Sequence, residues 1–190
     1  MRIQNRSTPR IGGYKQRGIG VIELSVSLVI AAAVLFGVFF VMNQANASRV
    51  VTAEVQTVTM LSNTLRNQGS SGSSFAGLTN ATLIQLGIAP ENMVRDDELL
   101  SGFSTPVSVT AANVNGVAND GFEITYTNFP ARQCSEFISA VSHMFSRVSI
   151  GGQVVKNTTS GNTDDEITIA DMARCDATNN NVTIAFAQGR

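Results

Sequence analysis

Between Leu24 and Met42 the chain reads LSVSLVIAAAVLFGVFFVM, 19 residues with no charge and no proline, interrupted only by Ser25 and Ser27. At a rise of about 1.5 Å per residue a helix of this length spans roughly 28 Å, the thickness of one hydrocarbon core. In lipid every backbone N–H and C=O must be paired internally, so a lone segment of this kind is forced to be helical. Five of the 13 basic residues (Arg2, Arg6, Arg10, Lys15 and Arg17) precede it, with no acid among the first 18 residues, and the next basic residue after it is Arg49. That asymmetry predicts a cytoplasmic N-terminus and an exported C-terminal part. The rest of the 190-residue chain holds eight basic and all 14 acidic residues, a side-chain net of −6, which disfavours a nucleic-acid binder.

Two addresses fit such a beginning. One is a cleaved secretory signal, with an A-x-A pattern at Ala45, Asn46 and Ala47. The other is a retained span, which suits 19 apolar residues better than the roughly 7 to 15 of a secretory h-region. The helical pattern also runs past the A-x-A site: Val51, Val55, Val58, Leu61 or Ser62, and Leu65 recur at steps of four and three, as far as about Asn67. No proline lies between Pro9 and Pro90, and Gly37 is the only glycine between Gly20 and Gly69. One helix of about 45 residues is therefore expected, apolar all round in its first half and amphipathic in its second.

Glu23 stands inside the apolar stretch IGVIELSVSLVI. A charge deep in a bilayer costs about 2.5 to 3.5 kcal/mol on insertion scales, so it either has a partner or snorkels to the headgroups. The basic leader ends in Lys15-Gln16-Arg17-Gly18, Ile19 follows, and Glu23 is the fifth residue after the glycine. This pattern resembles the class III signal of type IV pilins and related pseudopilins. The resemblance implies cutting by a prepilin peptidase after Gly18, N-methylation of Ile19, and retention of the apolar helix. Gly20 is a rival scissile residue, but cutting there leaves Glu23 third. The resemblance also gives Glu23 a subunit-assembly role, its carboxylate meeting the charged N-terminus of a neighbouring subunit in the filament core, where the two charges offset part of each other's desolvation.

Beyond the rod, Gly69 to Ser74 reads as a flexible connector, and Thr79 to Gly87 as a short helix capped by Thr79 or Asn80. Asp96, Asp97 and Glu98 read as a solvated run rather than a metal site. Val107 to Ala111 and Phe122 to Thr127 alternate apolar and polar, predicting two antiparallel strands joined by an Asn/Gly-rich turn from Asn113 to Gly121. A helix is expected from Ala131 to Arg147, with Phe137, Val141, Met144, Phe145 and Val148 on one face and His143 a surface or packed residue. A hairpin around Gly151-Gly152 and a final strand from Asn181 to Ala187 follow. These elements make an α+β fold in which the amphipathic half of the rod covers the apolar face of a small antiparallel sheet. The pilin resemblance implies the same arrangement.

Cys134 and Cys175 are the only cysteines. In an exported domain they are most simply a disulfide, the alternatives being two free thiols or an intermolecular bridge. In type IV pilins such a pair bounds the outward-facing region, and these two match that placement. With one His, no CxxC, no G-x-S-x-G, no HExxH and no phosphate loop, the sequence offers no catalytic, cofactor-binding or metal site, and no enzyme is expected. The 18-residue leader, the aliphatic Ile19 and the larger head point to the type IVb branch, although the tryptophan-glycine motif of some type IVb heads is absent. The expected organisation is a leader over 1–18, a spine over 19–67 (19–42 in the membrane before assembly, 43–67 amphipathic) and a head over 68–190. The resemblance implies a structural subunit, with a complete head favouring the major one, made at the inner membrane of a Gram-negative cell and displayed on a pilus for adhesion, aggregation or conjugation. Its implied partners are identical subunits in a helical filament, the prepilin peptidase, the assembly platform and the secretin. A minor pseudopilin, or a Sec-secreted binding domain cut after Ala47, are the rival readings.

Overall fold

The computed structural model describes residues 20–70, 74–159, 166–176 and 181–189. The chain divides into two compact units, Met1–Asn43 and Gln44–Arg190. Helix α1 (Val21–Ser70) contributes its first part to one and its second part to the other. The helix runs past Asn67 and takes in Gly69 and Ser70, which the sequence assigns to the connector. Gly69 is kept inside because the Phe75 ring packs against its bare backbone, and Phe75 in turn meets Phe122 edge-on at 5.6 Å.

The second unit is built on a five-stranded antiparallel sheet. Its strands are β3 (Val107–Ala112), β4 (Gly121–Pro130), β5 (Arg147–Ile150), β6 (Gln153–Asn157) and β7 (Asn181–Gly189), in spatial order β3-β4-β7-β5-β6. A two-stranded hairpin, β1 (Val94–Arg95) and β2 (Glu98–Leu99), stands apart from it. Its turn is the acidic run: Asp96 and Asp97 are exposed and adopt φ of 50° and 63°, left-handed backbone that short polar side chains tolerate. Helix α2 (Asn80–Gln85) is capped by Thr79, whose side chain accepts from the Thr82 N–H. The Gly151-Gly152 turn between β5 and β6 has φ of 59° and 79°, as that tight hairpin requires.

One face of the sheet is apolar. Val107 and Val109 of β3, Phe122, Ile124 and Tyr126 of β4, Ile184 and Phe186 of β7, and Val148 and Ile150 of β5 are all buried in a single core. Beyond Tyr126 strict alternation would turn Phe129 to the solvent face. A bulge between Tyr126 and Phe129, with Asn128 at φ 59°, places Thr127 and Asn128 of β4 against Thr183 alone of β7 and restores Phe129 to the core. The other face is largely polar, and there Arg147 of β5 reaches Glu123 of β4 at 3.2 Å. Both residues pair in register with Ala187 of β7, whose small side chain lies buried beneath that ion pair.

Two helices cover the apolar face. From α1 come Val51, Val58, Leu61 and Leu65, with Ser62 also buried and Val55 only half-buried. The buried stripe is thus rotated from the one the sequence suggests, and takes in Glu54 and Thr57. From α3 (Ala131–Val141) come Phe137, Ile138 and Val141. Phe137 stacks on Phe129 with centroids 4.9 Å apart and meets Tyr126 edge-on at 5.2 Å. Helix α3 stops at Val141 rather than running to Arg147, because a 3-10 turn (Ser142–Met144) follows and Arg147 already pairs with β7. The buried Lys156 of β6 donates from Nζ to the Ser142 carbonyl at 3.0 Å, satisfying an acceptor at the helix end. Phe145 and Val148 keep their places in the core from a loop and a strand.

Asn80 closes the edge of β3 with its own amide, donating to the Val107 carbonyl and accepting from the Val109 N–H, each at 2.8 Å. Cys134 in the first turns of α3 and Cys175, just after α4 (Ile169–Met172), form a disulfide with a Cα–Cα distance of 5.7 Å. Closing a 41-residue separation should stabilise by about 4 kcal/mol in the chain-entropy model. Replacing both cysteines by serine is expected to lower the unfolding free energy measured in urea by that order while leaving the native circular dichroism unchanged before the transition.

Candidate functional site

The first unit carries a helical stretch, Val21–Phe39, long and apolar enough to cross a membrane, and none of it is buried within the protein. Its two serines are satisfied by their own helix, Ser25 Oγ donating to the Ile22 carbonyl at 2.8 Å and Ser27 Oγ to the Glu23 carbonyl at 2.7 Å. Neither hydroxyl therefore needs water in an apolar medium. Glu23 lies in the first turn, where its N–H donates to the Gly20 carbonyl at 2.9 Å, and its side chain is exposed. A carboxylate there is favoured by the positive end of the helix dipole. Gly18 and Ile19, the expected cleavage and methylation positions, lie outside the described residues.

The second unit contains a carboxylate that the periodicity of α1 conceals. Glu54 is only 2% exposed. Its Oε2 accepts from the Gly102 N–H at 2.7 Å and its Oε1 from the Tyr126 hydroxyl at 2.8 Å. Gly102 allows this approach because a side chain there would press on Val50 at 2.9 Å and on Glu54 Oε2 at 3.2 Å. The loop that presents Gly102 holds its own shape: the buried Ser101 hydroxyl bonds Thr105 Oγ1 at 2.7 Å, and the Ser101 N–H donates to the Thr105 carbonyl at 2.9 Å. One turn further along α1, Asn92 donates from Nδ2 to Thr57 Oγ1 at 2.8 Å. Burial raises the pKa of Glu54 above the usual carboxylate value, while the hydrogen bonds from Gly102 and Tyr126 pull it partly back. Burial, then the charge and the hydrogen bond of Glu54, push Tyr126 well above an ordinary phenol, so it remains a neutral donor.

Neither Glu54 nor Tyr126 stands out as a site in the sequence. The available signal was a lone acid three residues after Val51 and four before Val58, which puts it on the buried side of a helix. Its geometry is a structural tie rather than a reacting centre, since both carboxylate oxygens are engaged by fixed donors. Cys134 is buried and paired with Cys175, and His143 is exposed in the 3-10 turn. Among the described residues no group of three His, Cys, Asp or Glu is placed to hold a metal ion.

The fold is similar to that of TcpA, a type IV pilin from Vibrio cholerae El Tor biotype. The two share 18% identity and a TM-score of 0.57 over 74% of this chain and 99% of that one. It is similar also to the type IVb pilin from Salmonella typhi, with 20% identity and a TM-score of 0.55 over 73% of this chain and 99% of that one. Fold, apolar helix and family profile together define the class, a type IV pilin-like structural subunit and not an enzyme. The PilS N-terminal family profile matches residues 46–188, more than half of the chain, and the protein belongs to that family. No curated protein sequence matches it.

The buried carboxylate makes stability depend on pH in a definite direction. Because its pKa is raised in the folded state, the folded protein holds this proton more tightly than the unfolded chain. The contribution is full below the ordinary carboxylate pKa and is lost as pH rises through the raised folded value. Urea midpoints across that window should therefore fall for the wild type relative to Glu54→Gln, and parallel profiles would show that Glu54 does not titrate in this way. Tyr126→Phe keeps the ring packing but leaves Oε1 unpaired, and should cost about 1 to 3 kcal/mol at neutral pH.

Proposed function

We propose that the protein is the major subunit of a type IVb pilus, cut after Gly18 by a prepilin peptidase, N-methylated on Ile19 and polymerised into an extracellular filament. The observation that carries this reading is the pairing of a PilS-family head with an apolar helix that nothing in its own unit covers and whose one charge is Glu23. An apolar surface of that extent needs either lipid or another protein surface. In the proposed cycle, residues 1–18 are the leader, 19–42 hold the subunit in the inner membrane of a Gram-negative cell, 43–67 complete the spine, and 68–190 form the displayed head. The assembly platform and secretin handle the subunit on its way out, and the filament serves adhesion, aggregation or conjugation.

Moving the helix from lipid into a bundle of identical helices changes its apolar surroundings little. Small terms therefore decide the outcome, including close packing at Ala31, Ala32, Ala33 and Gly37. The larger one is Glu23. In the filament core its carboxylate faces the charged N-terminal amine of a neighbouring subunit, and either charge alone there would be penalised. The pair acts as a register device as well as an attraction. The exposure of Glu23 and the absence of any other charge from Val21 to Phe39 are consistent with a partner supplied by a second copy.

Intact mass and N-terminal peptide analysis of sheared surface material should give a chain beginning at Ile19, about 14 Da heavier than its sequence mass for one methyl group. A start at Ser48 would instead mark a secreted domain. Replacing Gly18 by leucine should leave full-length precursor in the membrane fraction, whereas Glu23→Ala should give processed protein with few filaments. Normal piliation in both variants would overturn the assignment.

A further inference from the structure

The loop between β3 and β4 contains Asn115-Gly116, the one Asn-Gly step in the sequence. Asn115, Gly116, Val117 and Ala118 are all exposed. A side-chain carbon built on Gly116 would meet nothing within 4 Å, so no neighbouring group crowds that side of the residue. Among the described residues neither the Asn115 carboxamide nor the Gly116 N–H is held by a hydrogen bond. We propose that Asn115 is a site of spontaneous covalent modification, at which Gly116 converts it by deamidation to aspartate and isoaspartate.

The chemistry balances without a co-reactant other than water. The Gly116 nitrogen gives up its proton to base and attacks Asn115 Cγ. The Cγ–Nδ2 bond breaks, the amide nitrogen leaves as ammonia, and a five-membered succinimide remains. Water then adds to either ring carbonyl, opening the ring to aspartate or to isoaspartate. A following glycine favours the attack because no β-carbon crowds the nitrogen, and higher pH favours it because the nitrogen must be deprotonated.

A neighbouring step supplies an internal comparison. Asp120-Gly121 is open to the same ring closure in a free peptide, but here Asp120 is buried and its two oxygens accept from the Val114 and Asn115 N–H groups at 2.7 and 2.8 Å. Gly121 is held in β4 against Gly189 of β7. One loop thus contains both a released and a locked version of the same chemistry. Conversion of Asn115 acts on that lock, since the N–H bonded to Asp120 belongs to Asn115 itself and its carboxamide lies against Gly189. The product sets a new carboxylate near that of Asp120, and isoaspartate adds one carbon to the main chain between 115 and 116.

The test uses the full-length chain in detergent, incubated in mildly alkaline and mildly acidic buffer and followed by peptide mapping with mass spectrometry. The expected result is a gain of about 1 Da in the peptide carrying Asn115. That peptide should split into two chromatographic species, form faster in alkaline buffer, and outpace every other asparagine. Asn115→Gln should abolish the gain, because the longer side chain closes the ring far more slowly. It also leaves Gly116, with its positive φ of 83°, untouched. An unchanged peptide in the folded chain, under conditions where the urea-unfolded chain deamidates at 115, would overturn the proposal, as would equal conversion at other asparagines.

Discussion

The hydrogen bond from the Tyr126 hydroxyl to the Glu54 carboxylate is the constraint on which the head is organised. A carboxylate taken out of water must find donors, and Glu54 finds one on the sheet and one on the loop after β2. The bond fixes the rotation of α1 from Gln44 onward, because only one orientation of that helix points residue 54 at residue 126. Once the rotation is set, Val51, Val58, Leu61 and Leu65 are the residues that meet the sheet. Tyr126 is equally fixed from the other side, its ring held edge-on by Phe129, Phe137 and Phe186. Polar direction and apolar packing thus agree on one arrangement of helix and sheet.

Much of this was legible in the sequence where a single physical rule dominates. The apolar run of α1 admits only a helix, the Thr79 cap and Gly87 bound α2, and Gly151-Gly152 allows few turns other than the one formed. Legibility failed where two rules compete. Val51, Val55 and Val58 make an acceptable stripe, and nothing local shows that Glu54, three residues from Val51, is preferred inside to Val55 because a tyrosine and a glycine N–H await it. Val148 fits a helical spacing from Val141 and Phe145 as readily as it fits the strand alternation with Ile150, and only pairing with β7 decides between them. The bulge at Asn128 and the turn at Asp96-Asp97 depend on left-handed backbone, which asparagine and aspartate permit but do not announce. The cysteine pair was visible by type and position, whereas the Glu54 tie needed residues 48 and 72 positions away.

The two units satisfy opposite demands. From Gln44 onward the protein buries its aromatic and branched side chains in a single core, with a disulfide closing one side. Before Asn43 the described side chains are exposed, and their large apolar members find no cover within the protein. A structural subunit of this class can tolerate that contrast because its work is association. The head carries its stability in its own core, while a helix so apolar needs surroundings as apolar as itself.

The strand order has a consequence for how the head comes into being. Strands β3 and β4 form a hairpin among themselves, and so do β5 and β6, but β4 and β5 are not neighbours in the sheet. They are joined only through β7, which pairs with β4 on one side and β5 on the other. For a chain emerging N-terminus first, the two hairpins are independent pieces with open edges until residues 181–189 arrive between them. Cooperative closure of the sheet is therefore the last event, governed by long-range contacts that form slowly compared with local turns. Until then the chain holds two hairpins with open edges, and the five-stranded sheet exists only once β7 lies between them.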